Sequence, residues 1–239
     1  MKLEEKISNW LDEYITSNNL KSFVIGVSGG IDSAVTSTLC AMTGKPTIVL
    51  NMPIHQSELQ LNRANNHLKW LKSKYPNIRV LEFDLTQLFE TFKLLFTEED
   101  NLALANTRSR LRMVTLYQVA TMNKGIVVGT GNKVEDFGVG FYTKYGDGGV
   151  DISPIADCTK TQVWELGKYL GVDNKIIDAE PTDGLWNDSR TVVDQFQQQL
   201  RDLEKAMTNS NDPNYKKYLE IRKKNLHKMN PIPVCKFND

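Results

Sequence analysis

Apolar positions along the chain follow two patterns that alternate. Leu3, Ile7, Trp10, Leu11, Tyr14 and Ile15 recur at helical spacing, so a helix with one apolar face is expected over 3–17. Phe23 to Val27 is a short, continuous, β-branched run, the pattern of a strand buried on both faces. Ala34 to Ala41 returns to small and apolar residues at helical spacing, with Gly44 placed to end the helix. A second strand is expected at 46–51. A helix capped by a Ser57–Gln60 box then runs through Leu71, and a third strand follows at 78–83. Residues 85–123 carry helical stripes only: Leu85, Leu88, Phe89, Phe92, Leu95 and Phe96, then Leu111, Val114, Leu116, Val119 and Ala120. Such helices either cover the sheet or form a dimer interface. A fourth strand is expected at 125–130 and a short extended piece at 152–155. Helices are expected at 159–171, 190–207 and 213–227, before Pro231-Ile232-Pro233 ends regular structure.

Strand alternating with helix implies an α/β fold: a Rossmann-like, open parallel sheet flanked by helices, with right-handed crossovers. Ligands in such sheets bind outside the carboxyl ends of the strands, where the strand order reverses. Two stretches fall there, Ser28 to Ser33 and the Asn51–Gln56 loop. The 239 residues suffice for one large domain or two small ones, and one domain over 1–239 is expected.

Charge changes the picture by exclusion. Lys plus Arg and Asp plus Glu are 29 each, so no global field draws the chain to nucleic acid or an anionic membrane. Cys40, Cys158 and Cys235 are far apart with no CxxC, which argues against disulfides and structural zinc. The first residues are too polar for a signal peptide, and no apolar run approaches the roughly 20 residues that span a bilayer. A cytoplasmic protein is expected.

The candidate chemistry centres on Gly26-Val27-Ser28-Gly29-Gly30-Ile31-Asp32-Ser33. Strand, tight turn, helix is a phosphate-binding geometry, because free N–H groups of the first helical turn favour an anion. Gly29 and Gly30 are read as allowing close backbone approach in conformations closed to other residues. Ser28 and Ser33 add hydroxyl donors. Asp32 would repel phosphate unless it holds a divalent cation that bridges to it. The motif is neither Gly-x-x-x-x-Gly-Lys-Ser/Thr nor Gly-x-Gly-x-x-Gly. Thr130 and Glu135 fall beside this turn if the fourth strand neighbours the first, and Glu135 then offers the same cation a second carboxylate. Lys160 sits in a first helical turn, where a cation opposes the macrodipole, so it either serves a nearby anion or is solvated.

Other stretches carry weaker signals. Arg108, Arg110 and Arg112 do not share a helix face, so at least one points inward or toward a ligand, unless all three are solvated. The Gly-rich stretch 138–151 reads as a functional loop bearing Lys144, Asp147 and Asp151. His55 either touches a nucleoside or is solvated. Residues 180–188 read as a mobile loop with Trp186 available to cover a site. The basic run Arg222 to Lys228 reads as a solvated helix face.

Ser-Gly-Gly-x-Asp-Ser resembles the pyrophosphate loop of the ATP-pyrophosphatase superfamily, whose fold is adenine nucleotide alpha-hydrolase-like. Further strings follow in order: Gly129-Thr130 with Glu135, Tyr142-Thr143-Lys144-Tyr145-Gly146-Asp147-Gly148-Gly149, Thr159-Lys160, Glu180-Pro181-Thr182 and His227-Lys228. Together the whole chain resembles the ammonia-dependent NAD synthetases. That resemblance implies amidation of deamido-NAD+ with ammonia and ATP through an NAD-adenylate, in a homodimer whose dinucleotide lies across the interface. It implies that residues 26–33, Thr130, Lys160 and Thr182 contact ATP, and that Asp32 and Glu135 ligate Mg2+. It assigns Arg110, Lys144, Asp151, His227 and Lys228 to deamido-NAD+, and makes Asp32, Glu135 and Lys160 the catalytic set. No covalent nucleophile and no glutaminase domain are expected. Two positions depart from the family pattern: Leu102-Ala103-Leu104-Ala105 lacks the usual aromatic residue, and Met229 stands where a basic residue is usual. Two alternatives compete. One is another ATP-pyrophosphatase ligase, such as a GMP synthetase core or a tRNA-modifying thiolase. The other is a non-catalytic nucleotide sensor on the same fold.

Overall fold

The computed structural model describes residues 1–182, 194 and 199–237. In it α1 (Leu3–Ser17), β1 (Ser22–Gly26), α2 (Ile31–Met42), β2 (Thr47–Asn51), α3 (Glu58–Lys74) and β3 (Ile78–Glu82) alternate as their patterns require. Then come α4 (Thr86–Lys93), α5 (Asn101–Met122) and β4 (Gly125–Val127), followed by α6 (Lys160–Leu170), α7 (Asn174–Ile177), α8 (Leu200–Thr208) and α9 (Tyr215–Met229). The sheet order is β3-β2-β1-β4 and every neighbouring pair is parallel. The chain steps outward from β1 to β3 and then returns to the other side of β1. The order therefore reverses between β1 and β4, which places the ligand crevice at their carboxyl ends.

Alternation along the strands divides the core into two layers. Phe23, Ile25 and Val27 face α1, α2 and α6, packing with Leu11, Val35 and Leu166. Val24, Ile48 and Leu50 face the other way, onto Phe89 of α4 and Val119 of α5. α2 is buried from Ser33 to Ala41 because it lies between the sheet and α6, which is why it carries no charge after Asp32. α5 covers β1 and β4, whereas Leu88, Leu94, Leu95, Phe96 and Leu102 stay exposed.

A third cluster sits beyond β4. Val134 and Val139 pack against Leu200, Leu203 and Ala206 of α8 and Tyr218 of α9. α9 also holds the intervening loop by its carbonyls. Arg222 donates to Phe137 O at 2.7 Å and to Gly138 O, Asn225 to Val139 O at 2.8 Å, and Lys228 to Tyr142 O at 2.7 Å. The basic run 222–228 is thus not simply a solvated face. Three of its polar residues, at helical spacing, fix the segment that carries Glu135.

Other boundaries differ locally. The expected Ser57 box forms only by half. Ser57 Oγ accepts from Gln60 N, but Gln60 Oε1 takes the Ser57 hydroxyl and Gln56 Nε2 instead of the Ser57 backbone. β4 is shorter than its apolar run, and the pairing continues only as a bridge between Val128 and Ile152. Residues 190–193 and 195–198 of the expected 190–207 helix lie outside the described residues, as does Trp186.

His67 shows what burial does to an ionisable group here. Its ring lies between α3 and α2, with Nε2 at 3.0 Å from Ser37 Oγ, stacked on Trp70. Burial lowers its pKa to about 4 from an ordinary 6.5. The unfolded chain therefore binds a proton in the window between those values while the folded chain does not, and stability falls as pH drops through it. About 3 kcal/mol is lost between pH 7 and pH 4. Urea titrations across that range read the loss directly. His67→Gln, which cannot charge, gives a flatter profile; an unchanged slope would exclude His67 as its source.

Candidate active site

Residues 27–30 turn β1 into α2, and two serines fasten the turn. Ser28 N donates to Ser33 Oγ at 3.2 Å, the two hydroxyls lie 3.2 Å apart, and Ser33 Oγ donates to Gly30 O at 3.0 Å. Gly30 N donates to Ser28 Oγ at 3.3 Å. Gly29 has φ +86°, and a Cβ there would lie 2.7 Å from the Gln60 carbonyl. Gly30 corrects the expectation drawn from sequence. With φ −95° and ψ 159° it occupies a conformation open to any residue, and a Cβ would meet only Ser28 Oγ at 3.4 Å. Gly29→Ala is therefore expected to destabilise the protein by about 2 kcal/mol or more, and Gly30→Ala to leave stability near wild type. Denaturant unfolding of both variants checks this; equal losses would contradict it.

Asp32 stands in the first turn of α2, Lys160 opens α6, and Glu135 lies in the loop after β4. These three meet. Lys160 Nζ donates to Asp32 Oδ2 at 2.6 Å and to Glu135 Oε2 at 2.8 Å, and the lysine is only 1% exposed. A solvated Lys160 is thereby excluded. α6 brings it there because Thr159 and Gln162 form a full capping box that fixes the helix start. Burial alone would lower the pKa of the ammonium, but the Asp32 and Glu135 carboxylates outweigh it and hold it above the ordinary range. Burial also raises the Asp32 carboxyl; Glu135 adds to the rise and Lys160 opposes it.

Asn132, which has no assigned role in the motif strings, is the keystone. Its Nδ2 donates to Asp32 Oδ1 at 3.2 Å and to Glu135 Oε2, while its Oδ1 accepts from Val134 N at 2.9 Å and Glu135 N at 3.0 Å. The one legible signal was an Asn in a Gly-containing turn with Glu three residues on, the spacing of a side chain that folds the backbone around itself. Asp136 was missed too. Burial, then the charges of Asp147, Glu135 and Asp32, push its carboxyl well above the usual range. Asp136 and Asp147 line one cavity of about 240 Å3 with Gly129, Tyr142, Ser153 and Arg222.

The Gly-rich stretch is clasped by α5. Asp147 Oδ1 accepts from Ser109 Oγ at 2.7 Å and Thr143 N at 2.9 Å, and Thr143 Oγ1 donates to Asn106 at 2.7 Å. The three arginines go separate ways. Arg108 is 6% exposed and lies over the Phe89 ring. Arg110 donates to Lys144 O, and Arg112 donates to Met52 O and Gln56 Oε1. Asp151 pins the end of β4, accepting from Tyr117 Oη at 2.9 Å and Val127 N at 2.8 Å. Lys144 Nζ lies 5.5 Å from the centre of the Tyr145 ring. His227 is exposed in the last turn of α9, beside Lys228. Thr130 follows β4 at the crevice, and Thr182 follows α7. His55 pairs with Glu90 at 2.6 Å, so it is neither free nor simply solvated. Leu104 and Ala105 turn into the core, which explains apolar residues there.

Among the described residues no set of three His, Cys, Asp or Glu side chains converges as a metal site. What comes together is the pair Asp32 and Glu135, bridged by the Lys160 ammonium. That donor set suits Mg2+, which takes one or two carboxylates, keeps waters and completes its shell with phosphate oxygens. Cys40 and Cys158 are buried with thiols pushed upward by that burial, the opposite of a reactive cysteine.

Known proteins resemble this chain in sequence and in fold. The NH(3)-dependent NAD(+) synthetase of Finegoldia magna is 35% identical over 95% of this chain and 92% of its own. That of Malacoplasma penetrans is 33% identical over 100% and 97%. Among solved structures, an NMN synthetase from Francisella tularensis superposes with TM-score 0.90 at 30% identity, covering 98% of both chains. The NH3-dependent NAD synthetase from Campylobacter jejuni gives TM-score 0.78 at 25% identity, covering 98% of this chain and 97% of its own. The NAD synthase family profile matches residues 3–230, from the start of α1 to the end of α9. With the phosphate turn, the β1/β4 crevice and the strings on either side of it all inside that span, the chain belongs to the NAD synthase family.

Proposed function

We propose that this chain makes NAD+ from deamido-NAD+, ATP and ammonia, releasing AMP and pyrophosphate, and that residues 1–239 act as one NAD synthetase domain. The observation that carries the site assignment is the meeting of Asp32, Glu135 and Lys160 at the carboxyl ends of β1 and β4, beside the Ser28–Ser33 turn. The nicotinate carboxylate is a poor electrophile and must be activated first. One of its oxygens attacks the α-phosphorus of ATP, the bond to the bridging β-oxygen breaks, and pyrophosphate leaves. Ammonia then attacks the acyl carbon, AMP leaves with the carboxylate oxygen, and a proton is released. Such transfers need positioning and charge neutralisation more than covalent help from the protein.

The chain supplies both. N–H groups of residues 29–33 and the two serine hydroxyls receive the leaving pyrophosphate, with Thr130, Thr182 and Lys160 as further ATP contacts. The ammonium of Lys160 has three donors; two go to Asp32 and Glu135, and the third is left for a phosphate oxygen. Mg2+ held by Asp32 and Glu135 would neutralise charge on the polyphosphate. Arg110, Lys144, Asp151, His227 and Lys228 hold the dinucleotide acid. We place the enzyme in the cytoplasm, where unpaired thiols such as exposed Cys235 persist, and no helix among the described residues is long and apolar enough to cross a membrane. An assay of NAD+ and AMP formation from deamido-NAD+, ATP and ammonium tests the reaction; AMP released without deamido-NAD+ would contradict it.

A second substrate has a specific observation behind it, since the neighbour at TM-score 0.90 is an NMN synthetase. The mononucleotide acid whose amidation yields NMN presents the same carboxylate. Comparing kcat/KM for the two acids decides which is preferred. Working as a homodimer is supported by the exposed apolar residues of the α4–α5 region, Leu88, Leu94, Leu95, Phe96 and Leu102. Light scattering is expected to read twice the chain mass, and Leu95→Asp with Phe96→Asp to halve it; a monomeric wild type would contradict this.

A further inference from the structure

Half-buried Arg63 of α3 has no carboxylate or carbonyl partner among the described residues. Its Nε is buried and makes no hydrogen bond among the described residues. Burial lowers its pKa, and no carboxylate among the described residues pushes it back. Lys160 is compensated by Asp32 and Glu135, Arg112 by Met52 O and Gln56, and Lys228 by Tyr142 O, while Arg108, whose Nε also lacks a hydrogen bond among the described residues, lies over the Phe89 ring. An enclosed charge without a partner is costly, and proteins retain one where a ligand completes it.

Its place says which ligand. The α3 face that carries Arg63 abuts the phosphate turn. A Cβ built on Gly29 would lie 3.3 Å from Arg63 Cβ and 2.7 Å from the Gln60 carbonyl of the same helix. The electrostatics of the centre call for such a group. Asp32, Glu135 and Lys160, all ionised, sum to one negative charge, which opposes a polyphosphate until a divalent cation is bound. Helix dipoles and N–H groups offset part of this, and a full positive charge on the α3 face beside the turn offsets more.

We infer that Arg63 is a second anion-holding residue of the ATP site, contacting the polyphosphate from the α3 side. This rests on the ATP-dependent function proposed above and adds a contact from a helix that the recognition strings do not include.

The test is calorimetry on purified wild type, Arg63→Gln and Arg63→Lys with ATP, inorganic pyrophosphate and adenosine as separate probes, alongside unfolding midpoints without nucleotide. Arg63→Gln is expected to weaken ATP and pyrophosphate about tenfold or more, with Arg63→Lys in between and adenosine unchanged. Its ligand-free midpoint stays level or rises, since an uncompensated charge is gone, while the upward shift caused by ATP shrinks. A merely structural arginine would lower the ligand-free midpoint and leave the ATP affinity alone. Unchanged ATP and pyrophosphate affinity, or equal loss for adenosine, would overturn the inference. Wild type that binds no ATP would instead overturn the proposed function.

Discussion

Asp32→Ala and Glu135→Ala are each expected to cut ATP-dependent NAD+ formation about a thousandfold or more, with the fold retained. The magnitude follows from what each carboxylate holds. Asp32 Oδ2 and Glu135 Oε2 close on a single point from two elements, and Asn132 braces both. Removing either leaves the other unable to hold a divalent cation against phosphate repulsion. The fold survives because Lys160 keeps one partner, and because neither carboxylate is a member of the two main core clusters. Far-UV circular dichroism and the unfolding midpoint establish the fold; the coupled assay in saturating Mg2+ establishes the rate. Near-normal turnover in either variant would refute the metal assignment.

Lys160→Met is expected to lower stability by about 3–5 kcal/mol, because it strands two enclosed carboxylates against each other. This loss should differ from an ordinary core defect in being reversible by ions. If both carboxylates converge on one cation site, millimolar Mg2+ recovers much of the unfolding midpoint of Lys160→Met and moves wild type less. Adding Glu135→Gln to Lys160→Met recovers stability without Mg2+, since only one charge remains, but not activity. A Lys160→Met midpoint indifferent to Mg2+ would mean that the two carboxylates do not share a site.

Much of this was legible in the chain because it is written locally. Phe23 to Val27 is apolar on both faces, so β1 had to be interior, and the turn into α2 followed from glycines and serines at fixed positions. The helix start at Ser57 was marked by its cap. The illegible parts depend on contacts far apart in sequence. Nothing about Lys160 itself says that its ammonium reaches Asp32, 128 positions earlier; only the β1/β4 pairing and the start of α6 bring them together. Asn132 sits in a turn, but its amide also faces two acids. The basic run on α9 has the composition of a solvated face, yet Arg222 and Lys228 reach carbonyls about 85 positions away. Gly30 misled because glycine in a motif invites a conformational explanation, whereas its φ is ordinary and any need for it lies in space for a ligand.

The account turns on adenylation at the Asp32–Glu135 centre, and pyrophosphate exchange reads that step alone. Labelled pyrophosphate, ATP, deamido-NAD+ and Mg2+ are incubated with enzyme in the absence of ammonium. Label should enter ATP only when deamido-NAD+ and Mg2+ are both present, and should not enter it with Asp32→Ala or Glu135→Ala. Exchange that persists in those variants, or that needs no deamido-NAD+, would contradict the account.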